Sequence, residues 1–236
     1  MPHIDADAVQ ALALGSQLLS GDGEGPETPV SAWLRSVLSQ NGPVELIDVA
    51  DLSNGATCLL VALVGPPKLL ETKPPVGDEF VRAVRAAEAR LDTAVSAIAA
   101  LDAVSVNALA PVLAAAQLEL PIVDIDGMGR VLPPLEAAVW AVAGLPAAPV
   151  VLAMQDDVIT LECTENHRIE SLTGPMVSAL GGWAASALYP TKAADLSKYC
   201  IHGSLSRALE VGQTVADVTQ EQFRLGQLGQ EPRLYT

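Results

Sequence analysis

An apolar run, Leu120 to Val123, leads directly into Asp124, Asp126, Gly127, Gly129 and Arg130 in the stretch LPIVDIDGMGRVLPPLE. Two carboxylates two positions apart on an extended backbone point to the same side. Such groups can activate water or carry a proton. The glycines permit positive φ and close approach of a ligand. Arg130 can anchor a carboxylate or carbonyl, or neutralise an aspartate. In open α/β sheets ligands bind beyond the carboxyl ends of strands, which is where these residues fall. Asp-Gly is also a turn signal, so a tight turn with capping aspartates is the plainer alternative.

Other candidates sit at similar strand ends. In LDAVSVNALAP, Asp102 is an acid–base or orienting group on the functional reading, and Asn107 is a cap for the helix that follows on the plain one. Glu71 and Lys73, after VGPPKLLETK, form either a solvated ion pair or part of a site. Cys163 and His167 in CTENH have the types of a nucleophile pair, and His202 precedes Ser204, a cap candidate. GDGEG at 21–25 lacks the Lys-Ser/Thr of a nucleotide loop, and Asp22 and Glu24 would repel phosphate. No His/Asp/Glu cluster has zinc spacing on a helix; only Asp124 and Asp126 offer a metal ligands, so no metal and no cofactor are expected.

The elements that must hold these residues alternate. Helices are expected at 5–19, 31–40, 78–91, 107–118 (with Pro111 in its first turn), 135–143, 176–188 and 205–216. A strand and then a turn are expected over 44–52, and strands at 57–65, 94–101 and 121–125, with a hairpin over 149–163 turning at Asp156-Asp157. Continuous apolar strands such as TCLLVALVG fit a sheet covered on both faces. The pattern predicts an α/β fold with a mixed, largely parallel sheet and flanking helices. An α/β domain at 1–190 is followed by a helical extension and polar tail at 191–236.

Half of the 236 residues are hydrophobic but only 3% are aromatic, so Ala, Val and Leu must fill the core. The net charge of −15 argues against nucleic acid and against an anionic membrane surface. Cys58, Cys163 and Cys200 have no paired spacing, which suits a reducing cytoplasm. MPHIDADAVQALALG has no basic leader region. No apolar run reaches the roughly 18 residues of a membrane span.

The segment NALAPVLAAAQLELPIVDIDGMGR resembles the S-methyl-thiohydantoin desulfurase-like family, associated with hydantoinase and oxoprolinase genes. The family pattern falls on Asn107, Pro111, Pro121, Asp124, Asp126, Gly127, Met128, Gly129 and Arg130. Gly65, Pro67 and Glu71 resemble a second family element, and Gly203, Leu205, Ser206 and Arg207 a third, so the resemblance runs from about residue 10 to about 215. There are departures. The family's glycine-rich loop is SGDGEG here, its Glu-x-Gly-Gly is Asp102, Ala103, Val104, Ser105, and a downstream Glu is Pro134.

The resemblance is to the family's N-terminal domain, and it implies that a second, β-rich domain is lacking. It implies a site in which Asp124, Asp126 and Asp102 act on a small cyclic amide of hydantoin or thiohydantoin type. Arg130, Asn107, Gly127, Gly129 and Glu71 would hold that substrate. The alternative is a non-catalytic subunit that stabilises a separately encoded domain. On either reading an apolar face, assigned to 176–188 with Gly181, Gly182, Trp183 and Ala184, predicts a homo-oligomer or a complex.

Overall fold

The computed structural model describes residues 2–20, 28–129 and 135–228, with side chains to residue 219. The GDGEG loop with Asp22 and Glu24, and also Arg130 and Pro134, lie outside the described residues.

In chain order the N-terminal part runs β1 (His3–Ile4), α1 (Ala8–Ser20), α2 (Pro29–Asn41), β2 (Val44–Ile47), β3 (Thr57–Val64), α3 (Leu69–Thr72) and α4 (Glu79–Leu91). The middle continues with β4 (Ala97–Ala100), α5 (Val106–Leu118), β5 (Ile122–Val123), β6 (Ile125–Asp126), α6 (Val139–Val142), β7 (Val150–Met154) and β8 (Asp157–Leu161). The last part is α7 (Asn166–Leu180), β9 (Ala184–Lys192), α8 (Ala193–Leu196), β10 (Ile201–His202) and α9 (Ser204–Leu228).

Eight strands form one sheet in the order β1-β2-β5-β4-β3-β9-β7-β8. The pairings β2–β5, β5–β4 and β4–β3 are parallel. The other pairings, from β1 to β2 and from β3 outward through β9, β7 and β8, are antiparallel. The α/β class and the mixed sheet are as the sequence predicts. β3 and β4 are buried along almost their whole length, the reason their sequences lack polar alternation. α5 is apolar on nearly all sides because it is buried on nearly all sides, between the strands and α1 and α2.

Local signals start the helices. Asp5 Oδ1 accepts the N–H groups of Asp7 and Ala8 at 3.1 and 2.9 Å, and so caps α1. Thr28 and Ser31 close a capping box ahead of Pro29, the first residue of α2. α1 crosses α9 in very close contact. A Cβ at Gly15 would lie 1.7 Å from the Ala208 carbonyl oxygen, and one at Gly212 would lie 1.8 Å from that of Ala11.

Several expectations need correction. The expected helix at 176–188 does not exist as such. α7 ends at Leu180, Gly181 and Gly182 take φ of +120° and +105°, and the chain becomes β9. β9 lies between β3 and β7 inside the sheet, and Trp183 and Ala184 are fully buried, so that segment is core and not a docking face. Pro111 lies inside α5, which starts at Val106, rather than in its first turn. The expected helix at 135–143 is a 3-10 turn, Leu135–Ala137, followed by the short α6. The strand at 121–125 divides: β5 stays in the sheet while β6 leaves it to pair with β10. Helix α9 continues to Leu228, beyond the expected 216. β9 runs through residue 190, and α9 packs along α1, so the C-terminal segments join the same core.

Candidate functional site

The polar chemistry gathers where β3 and β4 end. After β4 the chain runs Leu101-Asp102-Ala103-Val104-Ser105 and enters α5. Asp102 is 1% exposed. Its carboxylate accepts the Val104 N–H at 3.4 Å and an Asn107 Nδ2–H at 2.9 Å. Asn107 is therefore not a helix cap. Its Oδ1 accepts the Leu63 N–H at 2.8 Å, so one side chain ties the end of β3 to the carboxyl beyond β4. Burial pushes the Asp102 carboxyl up to about 7, against the two hydrogen bonds, and the charge of Asp126 adds to the rise. Ser105 has φ +49° and ψ −132°, a backbone region that non-glycine residues rarely occupy. It makes no side-chain cap to α5, and its hydroxyl has no hydrogen-bond partner among the described residues.

These residues border a cavity of about 630 Å³. Its floor is the face of the sheet carrying Ala62, Ser186 and Leu152, which lie in register across β3, β9 and β7. Val64, Val150 and Leu188 extend the floor, and Ile169, Thr173 and Gly174 of α7 form the opposite wall. α4 packs along the same strands β7 and β9 and so covers their other face. The approach of β3 to the turn after α7 needs glycine. Gly65 has φ +104°, and a Cβ there would lie 2.3 Å from the Gly182 carbonyl oxygen. The Lys73 ammonium donates to the Gly181 carbonyl, and Trp183 Nε1–H donates to the Lys73 carbonyl at 2.8 Å, which pins this turn.

Asp102 and Asn107 thus line the cavity; the other described candidates are not among its lining residues. Asp124 Oδ1 accepts the N–H groups of Leu205 and Ser206 at 2.8 and 3.2 Å, capping α9 from a distance in sequence, the part expected of Ser204. Asp126, 2% exposed, accepts the N–H groups of Met128 and Gly129 at 2.7 and 2.6 Å. Gly127 leaves room for Trp140, whose ring a Cβ would meet at 1.8 Å, so the space goes to a side chain and not to a ligand. Gly129 has φ +64° and turns the chain beside Ile201. Glu71 is exposed on α3 and away from the cavity, and Lys73 binds the Gly181 carbonyl. Arg130 lies outside the described residues.

The cysteines are arranged differently from the CTENH expectation. His167 Nε2 faces the Glu165 carboxylate at 3.6 Å, and the Cys163 thiol donates to the Glu165 carbonyl. Cys200 Sγ instead lies 3.3 Å from His202 Nε2. Burial, with Asp48 and Asp126 nearby, pushes this thiol up to about 11, so it stays protonated at neutral pH and is a poor nucleophile. Among the described residues no group of three or more His, Cys, Asp or Glu is placed to hold a metal ion. No described helix is long and apolar enough to cross a membrane.

Sequence reasoning missed Ser105 and the α7 wall. The signal at Ser105 was its place opposite a family glycine, which marks a backbone that turns through positive φ.

The fold is an α/β mixed sheet with a buried carboxyl lining a cavity over the antiparallel strands β3, β9 and β7. The chain belongs to the S-Me-THD-like family: the N-terminal domain of that family matches residues 7–161 and the C-terminal domain matches residues 164–230. The second match corrects the expectation of an N-terminal domain alone. The region of the C-terminal domain is present as α7, β9, α8, β10 and α9, and β9 sits between two strands of the N-terminal region. The idea of a face exposed by a lacking domain falls with it. A crystal structure of a protein from Chromobacterium violaceum, a structural-genomics target, shares the fold with a TM-score of 0.78 at 22% identity. The similarity covers 93% of this chain and 63% of that one. No curated protein is a significant match.

Proposed function

We propose that this chain is an enzyme, or the catalytic part of one, that acts on a small cyclic amide of the hydantoin or thiohydantoin type. The observation that carries the reading is Asp102, a carboxyl almost fully buried at the cavity edge with its pKa raised to about 7. A carboxyl so poised divides between its two forms near neutrality and can both take and return a proton. Membership of the S-Me-THD-like family supports a thiohydantoin-type ring over other cyclic amides.

In ring opening, the Asp102 carboxylate takes a proton from water while the water oxygen bonds to a ring carbonyl carbon. The ring C–N bond then breaks, and Asp102 returns the proton to the leaving nitrogen. On an S-alkylated thiohydantoin the same attack falls on the carbon bearing sulfur. There the C–S bond breaks and the proton goes to the departing thiolate. Ser105, whose hydroxyl is uncommitted, donates to the oxygen on which negative charge develops. Asn107 is a positioning residue: it fixes Asp102 against Leu63. Asp124 and Asp126 hold the α9 terminus and the 126–129 turn around the site.

The test is turnover of hydantoin and S-methyl-thiohydantoin, followed by mass spectrometry for the ring-opened product or for loss of methanethiol. Wild-type rates should rise as pH passes about 7, when the basic form of Asp102 accumulates. Asp102→Asn should lose roughly 10²–10⁴-fold in rate, the usual contribution of a general acid–base group. Full activity in Asp102→Asn would remove that residue from the mechanism. Inert wild-type protein against both rings would remove the reading.

A further inference from the structure

We propose that the ring taken by this site carries a bulky apolar substituent, a branched aliphatic or aromatic group, and that a bare or acid-bearing ring is a poor ligand. The inference rests on the cyclic-amide reading above and adds to it the class of substrate.

About 630 Å³ lies within the 300–1,000 Å³ range of pockets that enclose drug-sized molecules. An unsubstituted five-membered ring fills only a small part of that space, and the remainder would be left as apolar surface facing water.

Six of the floor and wall residues, Ala62, Val64, Val150, Leu152, Ile169 and Leu188, are apolar. The polar groups away from the Asp102 end are already engaged within the protein. Ser186 Oγ donates to the Ala62 carbonyl at 2.9 Å and Thr173 Oγ1 to the Ile169 carbonyl at 2.7 Å, while Glu170 Oε2 accepts the Leu135 N–H at 3.0 Å. Among the lining hydroxyls only that of Ser105, three residues after Asp102, makes no hydrogen bond within the described residues. A ring with its amide groups at that end must direct its substituent along β9 and β7 toward Leu152 and Ile169.

The ionisable groups of the lining are Asp102 and Glu170, and among the described residues no Lys or Arg lines the cavity. An anionic substituent would meet two carboxyls and, among the described residues, no counter-charge.

Gly174 gives a clean handle on this wall. It lies inside α7 without positive φ, and a Cβ added there meets nothing within 4 Å. Gly174→Phe therefore starts from open space at Cβ and adds bulk at a residue that lines the cavity.

The experiment is calorimetric binding to the whole chain of hydantoin and its 5-methyl, 5-isobutyl, 5-benzyl and 5-carboxyethyl derivatives. Each buried methylene should tighten binding by about 4-fold, from about 0.8 kcal/mol per CH₂. The isobutyl and benzyl compounds should exceed bare hydantoin by on the order of 100-fold. The carboxyethyl compound should bind more weakly than the methyl one. Gly174→Phe, checked for an unchanged melt, should cancel most of the gain from isobutyl and benzyl. A flat series, or preference for the bare or acidic ring, overturns the substituent class while the cyclic-amide reading stands. Binding of no ring of any size overturns both.

Discussion

Asp102→Asn offers a test that needs no substrate. Asparagine keeps the shape but cannot ionise. In the wild type the carboxyl moves from an ordinary 3.8 in the unfolded chain to about 7 when folded, mainly through burial. Below about pH 4 it is protonated in both states and contributes nothing to the pH dependence. Between about 4 and 7 the unfolded chain releases the proton and the folded chain keeps it, so stability falls as pH rises, by about 1.4 kcal/mol per pH unit. Above about 7 both states are ionised and the loss levels off near 4 kcal/mol. The asparagine variant lacks this loss. It carries a constant deficit of about 1 kcal/mol, because its NH₂ cannot accept from Val104 or Asn107 as a carboxylate oxygen does. Urea unfolding of both proteins from about pH 5 to about pH 8 measures the difference, and the large acidic background of the chain cancels between them. Asp102→Asn should be close to wild type at the acid end and clearly more stable at the alkaline end. A difference that stays flat with pH would refute the buried, raised-pKa carboxyl and the acid–base role built on it.

Three further outcomes follow from the packing. Gly127→Ala places a Cβ 1.8 Å from the Trp140 ring and should cost about 2–3 kcal/mol, read as a lower melting temperature and a changed near-UV dichroism. Asp124→Ala removes the acceptor for two α9 N–H groups and should cost about 1–2 kcal/mol in denaturant unfolding, while Asp124→Asn keeps an acceptor and should retain most stability and turnover. Gly212→Ala drives a Cβ to 1.8 Å from the Ala11 carbonyl oxygen and should force α9 off α1, with a loss of about 3 kcal/mol in thermal melts.

The strands β3 and β4 and helix α4 were legible because burial on both faces or on one stripe writes itself into the residue pattern. β9 was not. AASALYPTK is rich in Ala and Leu, good helix formers, and only its place between β3 and β7 makes it a strand. Gly181-Gly182 marked the boundary but reads equally as a soft spot within a helix.

The rule that ligands bind beyond strand ends pointed to Asp102 and Asn107, which line the cavity. The same rule gave more weight to Asp124 and Asp126, whose carboxylates serve backbone N–H groups brought in by α9 and by the 126–129 turn. A distant helix start leaves no mark near residue 124. The cavity draws on residues from Ala62 to Leu188, so no single stretch could reveal it.

The central claim, that a cyclic amide sits at Asp102 in this cavity, is met most directly by a crystal structure with 5-benzylhydantoin at a concentration that calorimetry shows to be saturating. The ring amide should lie within hydrogen-bond reach of Asp102 and Ser105, and the benzyl group between Leu152 and Ile169. A saturating ligand found elsewhere on the protein, with this cavity empty, would contradict it.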